Sequence, residues 1–383
     1  MRFEFSTAGR IIFGPGRIKE IGALARSFGQ RAFVVVDSLE RSSQLLELLR
    51  EEGASPFAHP GSGEPTIASV CDMVQKAVEA KCDVVIAMGG GSALDTGKAV
   101  AVLLNNPGEP TDYLEVIGKG QTLKNPSVPF IAIPTTAGTG SEVTRNAVIS
   151  SPEHRVKASL RSPFLLPRVA LVDPELTYSL PPGATASTGM DALTQLIEPF
   201  TSNAPNPIVD AVCREGIALA AKWLPAAYKN GQDASAREGM ALASLLGGMA
   251  LANGHLGAVH GMANPIGGMS QAHHGAICAR LLAMVMEVNI KAMRSRDPDS
   301  LSLCRYAEVA RLLTGKESAS AEDGVVWIRN LCQVLNIRPL GEFGLQREDF
   351  RHLVEQSQKA NSMKGNPIPL DDNEILELLE TAS

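Results

Sequence analysis

The chain has 383 residues and a formal net charge of -6, with 20% charged and 44% apolar residues. That length suggests two domains and allows large buried cores. No Lys/Arg-rich block occurs, which excludes nucleic acid and an anionic membrane surface as expected partners.

The opening Met-Arg-Phe-Glu-Phe-Ser has no apolar signal region, so a cytoplasmic location is expected. The first half then alternates strands and helices. Strands are predicted at 32–36, 84–88, 128–133 and 169–172, with helices at 38–52, 66–80 and 92–104. Continuous apolar strands alternating with helices predict a parallel, Rossmann-like sheet covered on both faces. Ligands of such sheets bind beyond the carboxyl ends of the strands.

Three elements fall at those ends. Asp37 follows the first strand. A carboxylate there can accept from both ribose hydroxyls and repel a 2′-phosphate, which points to NAD over NADP. It equally suits a helix N-cap. Gly89-Gly90-Gly91-Ser92 follows the second strand and opens a helix. Consecutive glycines let backbone N–H groups converge on a pyrophosphate, aided by the helix N-terminus. Asp95 and Lys98 lie just inside that helix and could be simple helix decoration. The acid precedes the glycines on a different strand, so the G-x-G-x-x-G fingerprint does not apply. Pro134-Thr-Thr-Ala-Gly-Thr-Gly-Ser-Glu142 follows the third strand. Thr135, Thr136 and Thr139 could hold ribose or nicotinamide oxygens there, or form a polar turn.

Tyr178-Ser-Leu-Pro-Pro-Gly reads as a hinge. Beyond it helices are predicted at 188–198, 207–229, 236–253 and 276–293. The division expected is 1–178 for an α/β dinucleotide-binding domain and 179–383 for an all-α metal and substrate domain. From Gly239 to Ala279 there is no Asp, Glu, Lys or Arg, yet four of the seven histidines lie there. Its longest apolar piece, 240–252, is short of the roughly 20 residues a membrane span needs. One or two core helices lining a pocket are expected instead.

Asp191 and Gln195, four apart, share one face of their helix. With His260 and His274 they would form a mixed oxygen and nitrogen site suited to Fe2+ or Zn2+. Singly, each has a plainer reading: Asp191 in the first turn of a helix, Gln195 on a helix surface, His260 at a helix end. Gln195 is a neutral, weak ligand, so metal binding is expected to be weakened. The six cysteines (Cys71, Cys82, Cys213, Cys278, Cys304, Cys332) show no C-x-x-C pair and read as buried free thiols rather than a zinc cluster.

The stretches Phe-Gly-Pro-Gly (13–16), Gly-Gly-Gly-Ser with Asp95 and Lys98, Pro-Thr-Thr-Ala-Gly-Thr-Gly-Ser-Glu, Gly-Met-Asp-Ala-Leu-Thr and Val-His-Gly-Met-Ala-Asn-Pro-Ile-Gly occur in order. By these the chain resembles the iron-containing (group III) alcohol dehydrogenases over essentially its whole length. The resemblance implies a dehydroquinate synthase-like architecture and hydride transfer between NAD(H) and a small alcohol or aldehyde. It implies metal ligands at Asp191, His260 and His274, with Gln195 where the family has a third histidine. Asn264 stands where a proton-relay histidine is usual and cannot shuttle a proton as imidazole does. His260, His274 and Asn264 are thereby the catalytic candidates. Lys157 joins Asp37, Gly90, Gly91, Ser92, Asp95, Thr135, Thr136 and Thr139 as a cofactor candidate, and Asn146 and Leu251 are substrate candidates. A homodimer or higher homo-oligomer is expected. The alternatives are a metal-free NAD(P)H reductase of an oxo-acid resembling the maleylacetate reductases, and a non-catalytic NAD-binding relative. A phosphate-eliminating synthase would need a dense basic pocket, and none is legible.

Overall fold

The computed structural model describes residues 2–383 apart from Ser62, Val116 and Arg155. The chain forms two compact units. One comprises Ser6–Thr136 and Gly140–Tyr178; the other comprises Ser179–Ser383, Ala137–Thr139 and the N-terminal stretch ending at Phe5.

The first unit is built on β1 (Ile11–Phe13), β2 (Arg31–Val36), β3 (Ser55–Pro60), β4 (Val84–Gly89), β5 (Phe130–Pro134), β6 (Asn146–Ser151), β7 (Val156–Arg161) and β8 (Val169–Val172). Six of these form a wholly parallel sheet in the order β1-β8-β5-β4-β2-β3. Its helices are α1 (Ile21–Phe28), α2 (Ser43–Glu51), α3 (Ile67–Glu79), α4 (Gly91–Leu103) and the short α5 (Pro110–Tyr113). The side-chain period of two divides the central strands between two cores. Val34, Val36, Ile86 and Met88 pack with Ile21 and Leu45 of α1 and α2. Phe33, Val35, Val85 and Ala87 pack with Met73 of α3 and Leu94 of α4. Both faces being covered explains why these strands read as unbroken apolar runs.

From β2 the chain runs outward to β3, then returns to β4 on the other side of β2. The strand order therefore reverses between β2 and β4, the point at which open α/β sheets bind ligands. The hairpin of β6 and β7 is antiparallel and stands apart from the sheet. Its inward residues Ala147, Ile149, Ala158 and Leu160 pack on Ala99 and Val102 of α4.

The second unit carries α6 (Pro182–Thr201), α7 (Pro207–Lys229), α8 (Ala234–Asn253), α9 (Ala258–Met269), α10 (His274–Arg296), α11 (Leu301–Thr314), α12 (Ala321–Val334), α13 (Phe350–Lys359) and α14 (Asp372–Ala382). Among the described residues no strand follows Val172. Pro182 starts α6, where its fixed φ suits a first helical turn and its missing N–H costs nothing. The uncharged run becomes two core helices, α8 and α9. No single helix among the described residues is long and apolar enough to cross a membrane; α8 and α9 together pass such a test but meet at 95°.

Candidate metal centre

Helix α6 places Asp191, Gln195 and Glu198 at i, i+4 and i+7, one buried stripe of a helix that is otherwise largely apolar. Asp191 lies in the middle of α6, not in a first turn, so the favourable interaction with a helix N-terminus weighed from the sequence does not account for it. Its side chain is 3% exposed. A carboxylate at that depth needs partners. Gln195 supplies one, donating from Nε2 to Asp191 Oδ2 at 3.0 Å.

The other carboxylate oxygen faces two imidazoles. Asp191 Oδ1 is 3.6 Å from His260 Nε2 and 3.6 Å from His274 Nε2, too long for a hydrogen bond. His260 is the third residue of α9, and His274 is the first of α10. The ring centroids lie 5.4 Å apart. Asp191 Oδ1 and His260 Nε2 are buried with no hydrogen-bond partner among the described residues, and so is Gln195 Oε1. An acceptor oxygen and a ring nitrogen buried 3.6 Å apart suit a positive charge between them, a metal ion or a proton on the ring.

Two further residues complete the arrangement, and the sequence reading missed both roles. Glu198 Oε2 is 2.6 Å from His260 Nδ1, and Glu198 Oε1 accepts from the Val259 N–H at 2.7 Å. With Nδ1–H donated to the carboxylate, Nε2 carries the lone pair that a metal needs. Glu198 also satisfies an orphan N–H in the first turn of α9, while Asn366 Oδ1 accepts from Ala258. The signal was available, since 198 is i+7 from 191 on the stripe already singled out. Cys278 is the second. Read as a buried free thiol, it is buried and outside any disulfide, lies within hydrogen-bond distance of His274 Nε2 at 3.6 Å, and joins Asp191, His260 and His274 in a cluster. Their ligand atoms all lie within 4.8 Å of one another. The clue was its i+4 spacing from His274.

The electrostatics favour positive charge here. Burial opposes a charged His260, but Glu198 and Asp191 outweigh it and push its pKa up to about 9. Burial also opposes ionisation of Asp191, yet the His274 and His260 rings hold its pKa below the usual carboxylate value. Burial and the nearby Asp191 carboxylate push the Cys278 thiol well above its ordinary value. A divalent ion would compete with protons for the same lone pairs.

In the helical unit, Asn264 lies exposed on α9, one turn beyond His260, and Leu251 is half-buried on α8. Thr139 also belongs to this unit, and the adjacent Gly138 packs on Thr188, where a Cβ would come within 2.6 Å of that side chain.

In the sheet unit, the residues at the strand-order reversal come together. Asp37 Oδ2 accepts from the Gly90 N–H at 2.9 Å and from Thr135 Oγ1 at 3.4 Å. Thr136 lies against Gly90, where a Cβ would be 3.4 Å from its methyl. Gly90 caps α4, and Gly91 and Ser92 are its first residues, so their N–H groups have no intrahelical partners. The other candidates serve inside the unit. Asp95 accepts from Ser141 Oγ at 2.6 Å and from the Val148 N–H at 2.9 Å. Lys98 is fully buried and donates to Ser141 Oγ, Thr144 Oγ1 and the Asn146 carbonyl. Burial holds its pKa below that of an ordinary lysine, against Asp95. Lys157 pairs with Glu64 at 2.5 Å.

A parallel sheet with a glycine loop at its reversal point, and a helical unit holding a carboxylate-imidazole cluster, fit a class of α/β-plus-helical proteins with a candidate nucleotide site and a candidate metal site. The comparisons give the family. Residues 8–174 match the model of iron-containing alcohol dehydrogenase, and 185–383 match the C-terminal model of the Fe-containing alcohol dehydrogenase family. The chain belongs to the iron-containing alcohol dehydrogenase family and is an oxidoreductase acting on alcohols. It is 36% identical to alcohol dehydrogenase 4 of Schizosaccharomyces pombe, the match covering 97% of this chain and 87% of that protein. It is 33% identical to an NAD-dependent methanol dehydrogenase of Bacillus methanolicus, covering 97% of each. A solved 1,3-propanediol oxidoreductase structure superposes with a TM-score of 0.92 at 33% identity, covering 100% of both chains.

Proposed function

We propose that this enzyme interconverts a small alcohol and its aldehyde or ketone with NAD(H), using a divalent metal held by Asp191, His260 and His274. One observation carries the reading: Asp191 Oδ1 and His260 Nε2 are buried without a hydrogen-bond partner among the described residues and lie 3.6 Å apart. A metal-free protein would instead satisfy them by protonating His260, which the Glu198 and Asp191 carboxylates favour.

The metal, when bound, supplies Lewis-acid polarisation of the substrate oxygen. NAD(H) supplies or accepts the hydride. The protein does the rest. Glu198 fixes the His260 tautomer. Gln195 holds Asp191 so that Oδ1 stays in the cluster. The free N–H groups at Gly91 and Ser92 receive a pyrophosphate, with Gly90 held in place by Asp37. Asp37 Oδ1 is left to accept from ribose hydroxyls, which favours NAD over NADP. Thr135 and Thr136 border the same cofactor, and Asp95 and Lys157 support its loops through their own partners. Asn264 offers an amide hydrogen bond in place of a proton-relaying imidazole, and Leu251 contributes to substrate choice.

The test is NADH formation, followed by absorbance, across a panel of small primary and secondary alcohols. Metal-loaded wild type is expected to be active, with activity lost on chelation and in His260→Ala. Undiminished reduction of oxo-acids by chelated protein, with no alcohol oxidation, would overturn the proposal.

A further inference from the structure

We propose that Cys278 is a protein ligand of this metal, a thiolate joining Asp191, His260 and His274, and that it turns the site from iron toward zinc. The inference rests on the metal-dependent reading above.

The geometry is specific. Cys278 follows His274 by one turn of α10, so both side chains leave the same helical face. Cys278 Sγ is 3.6 Å from His274 Nε2. Asp191 Oδ1 is 3.6 Å from that same nitrogen and 3.6 Å from His260 Nε2. Tetrahedral zinc with bonds of about 2.0–2.3 Å requires ligand atoms roughly 3.3–3.8 Å apart. Three edges of the Asp191–His260–His274–Cys278 tetrahedron thus already have the required length. The oxygen and the His260 nitrogen at this centre are buried without hydrogen-bond partners among the described residues, as ligand atoms of a cation site would be.

Gln195 is arranged for a different task. Its amide donates to Asp191 Oδ2. Its carbonyl oxygen lies beside α8, 3.6 Å from where a Cβ on Gly247 would stand. Through that amide bond it acts as a positioning residue, holding the carboxylate whose other oxygen enters the cluster. On metal binding the Cys278 S–H loses its proton to solvent and the sulfur donates a lone pair; no electron transfer occurs. A thiolate is a soft donor, which favours zinc over iron.

Cobalt(II) loading of the purified full chain separates this inference from the reading beneath it. Visible ligand-field bands that vanish in His260→Ala report the site itself. A near-ultraviolet sulfur-to-cobalt charge-transfer band reports a thiolate ligand. Wild type is expected to show both, and Cys278→Ser to keep the visible bands and lose the charge-transfer band. Zinc affinity in Cys278→Ser is expected to fall by at least the roughly 10- to 100-fold typical of outer-sphere changes. Visible bands without a charge-transfer band in wild type would overturn the role of Cys278 and leave the metal site standing. A charge-transfer band that persists in Cys278→Ser would place the thiolate elsewhere and also overturn it. No cobalt binding at all would overturn both the inference and the metal-dependent reading. The wild-type spectrum decides even if a substituted chain folds poorly.

Discussion

Replacing Glu198 by Gln should weaken metal binding without touching a ligand. Glu198 is 6% exposed on its side chain and makes two bonds, at 2.6 Å to His260 Nδ1 and at 2.7 Å to the Val259 N–H. A glutamine has one acceptor and one donor. Keeping its oxygen on Val259 turns its NH2 toward Nδ1, which must then accept. The imidazole proton is thereby forced onto Nε2, the atom needed for the metal. The reverse orientation preserves the tautomer but sets NH2 against N–H at the start of α9. The first orientation keeps both bonds but loses the tautomer; the second keeps the tautomer but loses the Val259 bond. Outer-sphere changes of this kind cost about 10- to 100-fold in metal affinity, or about 1.4–2.7 kcal/mol. The assay is competitive zinc titration against a chromophoric chelator, with circular dichroism to confirm the fold. Glu198→Ala should fold less stably as well, by about 1–3 kcal/mol, because the Val259 N–H is left buried and unpaired. If Glu198→Gln bound zinc as tightly as wild type, Glu198 would not set the His260 tautomer.

Asp37→Gly should raise the NADPH-to-NADH efficiency ratio by roughly tenfold or more. Juxtaposed like charges cost more than the ~1.4 kcal/mol that a factor of ten represents, and steady-state rates with both cofactors give the answer. Gly97→Ala should lower stability by about 1–3 kcal/mol, since its Cβ would come within 2.7 Å of Ala87 Cβ and Phe130 Cε2. Gly183→Ala has nothing within 4 Å and is the thermal-melt control, expected neutral or stabilising. Burial raises the Glu142 pKa from 4.5 to about 7, against its own backbone N–H and Lys98. The folded state thus favours the neutral acid, and this contribution is full below pH 4.5 and lost as pH rises through about 7. Urea denaturation at either end of that window should show a dependence, up to ~3 kcal/mol, that Glu142→Gln flattens.

The sheet was legible where both faces are buried. At β2, β4, β5 and β8, packing on each side leaves little room for a polar residue, so apolar runs mark the strands. The edges were not legible. Strand β1 is three residues long. Strand β3 is the half-exposed Ser-Pro-Phe-Ala-His-Pro, whose prolines argue against a central strand. The hairpin alternates buried and half-buried residues, Asn146 to Ser151, and follows a Thr/Gly loop that reads as irregular. At the candidate metal centre, Asp191, His260 and His274 were singled out because polar residues stand out in uncharged surroundings. Glu198 sits beside Pro199 near the end of its helix and looks like an ordinary terminal acid until the i+7 stripe is drawn. Cys278 was invisible because a buried cysteine is usually a small hydrophobe. Only the convergence of α6, α9 and α10 distinguishes it.

The most direct test of the metal centre is anomalous X-ray diffraction from crystals of alcohol-active protein, recorded at the zinc and iron edges. A peak is expected at about 2.0–2.3 Å from Asp191 Oδ1, His260 Nε2, His274 Nε2 and Cys278 Sγ, strongest at the zinc edge. Crystals of active enzyme with no anomalous peak among these four atoms would contradict the metal-dependent function.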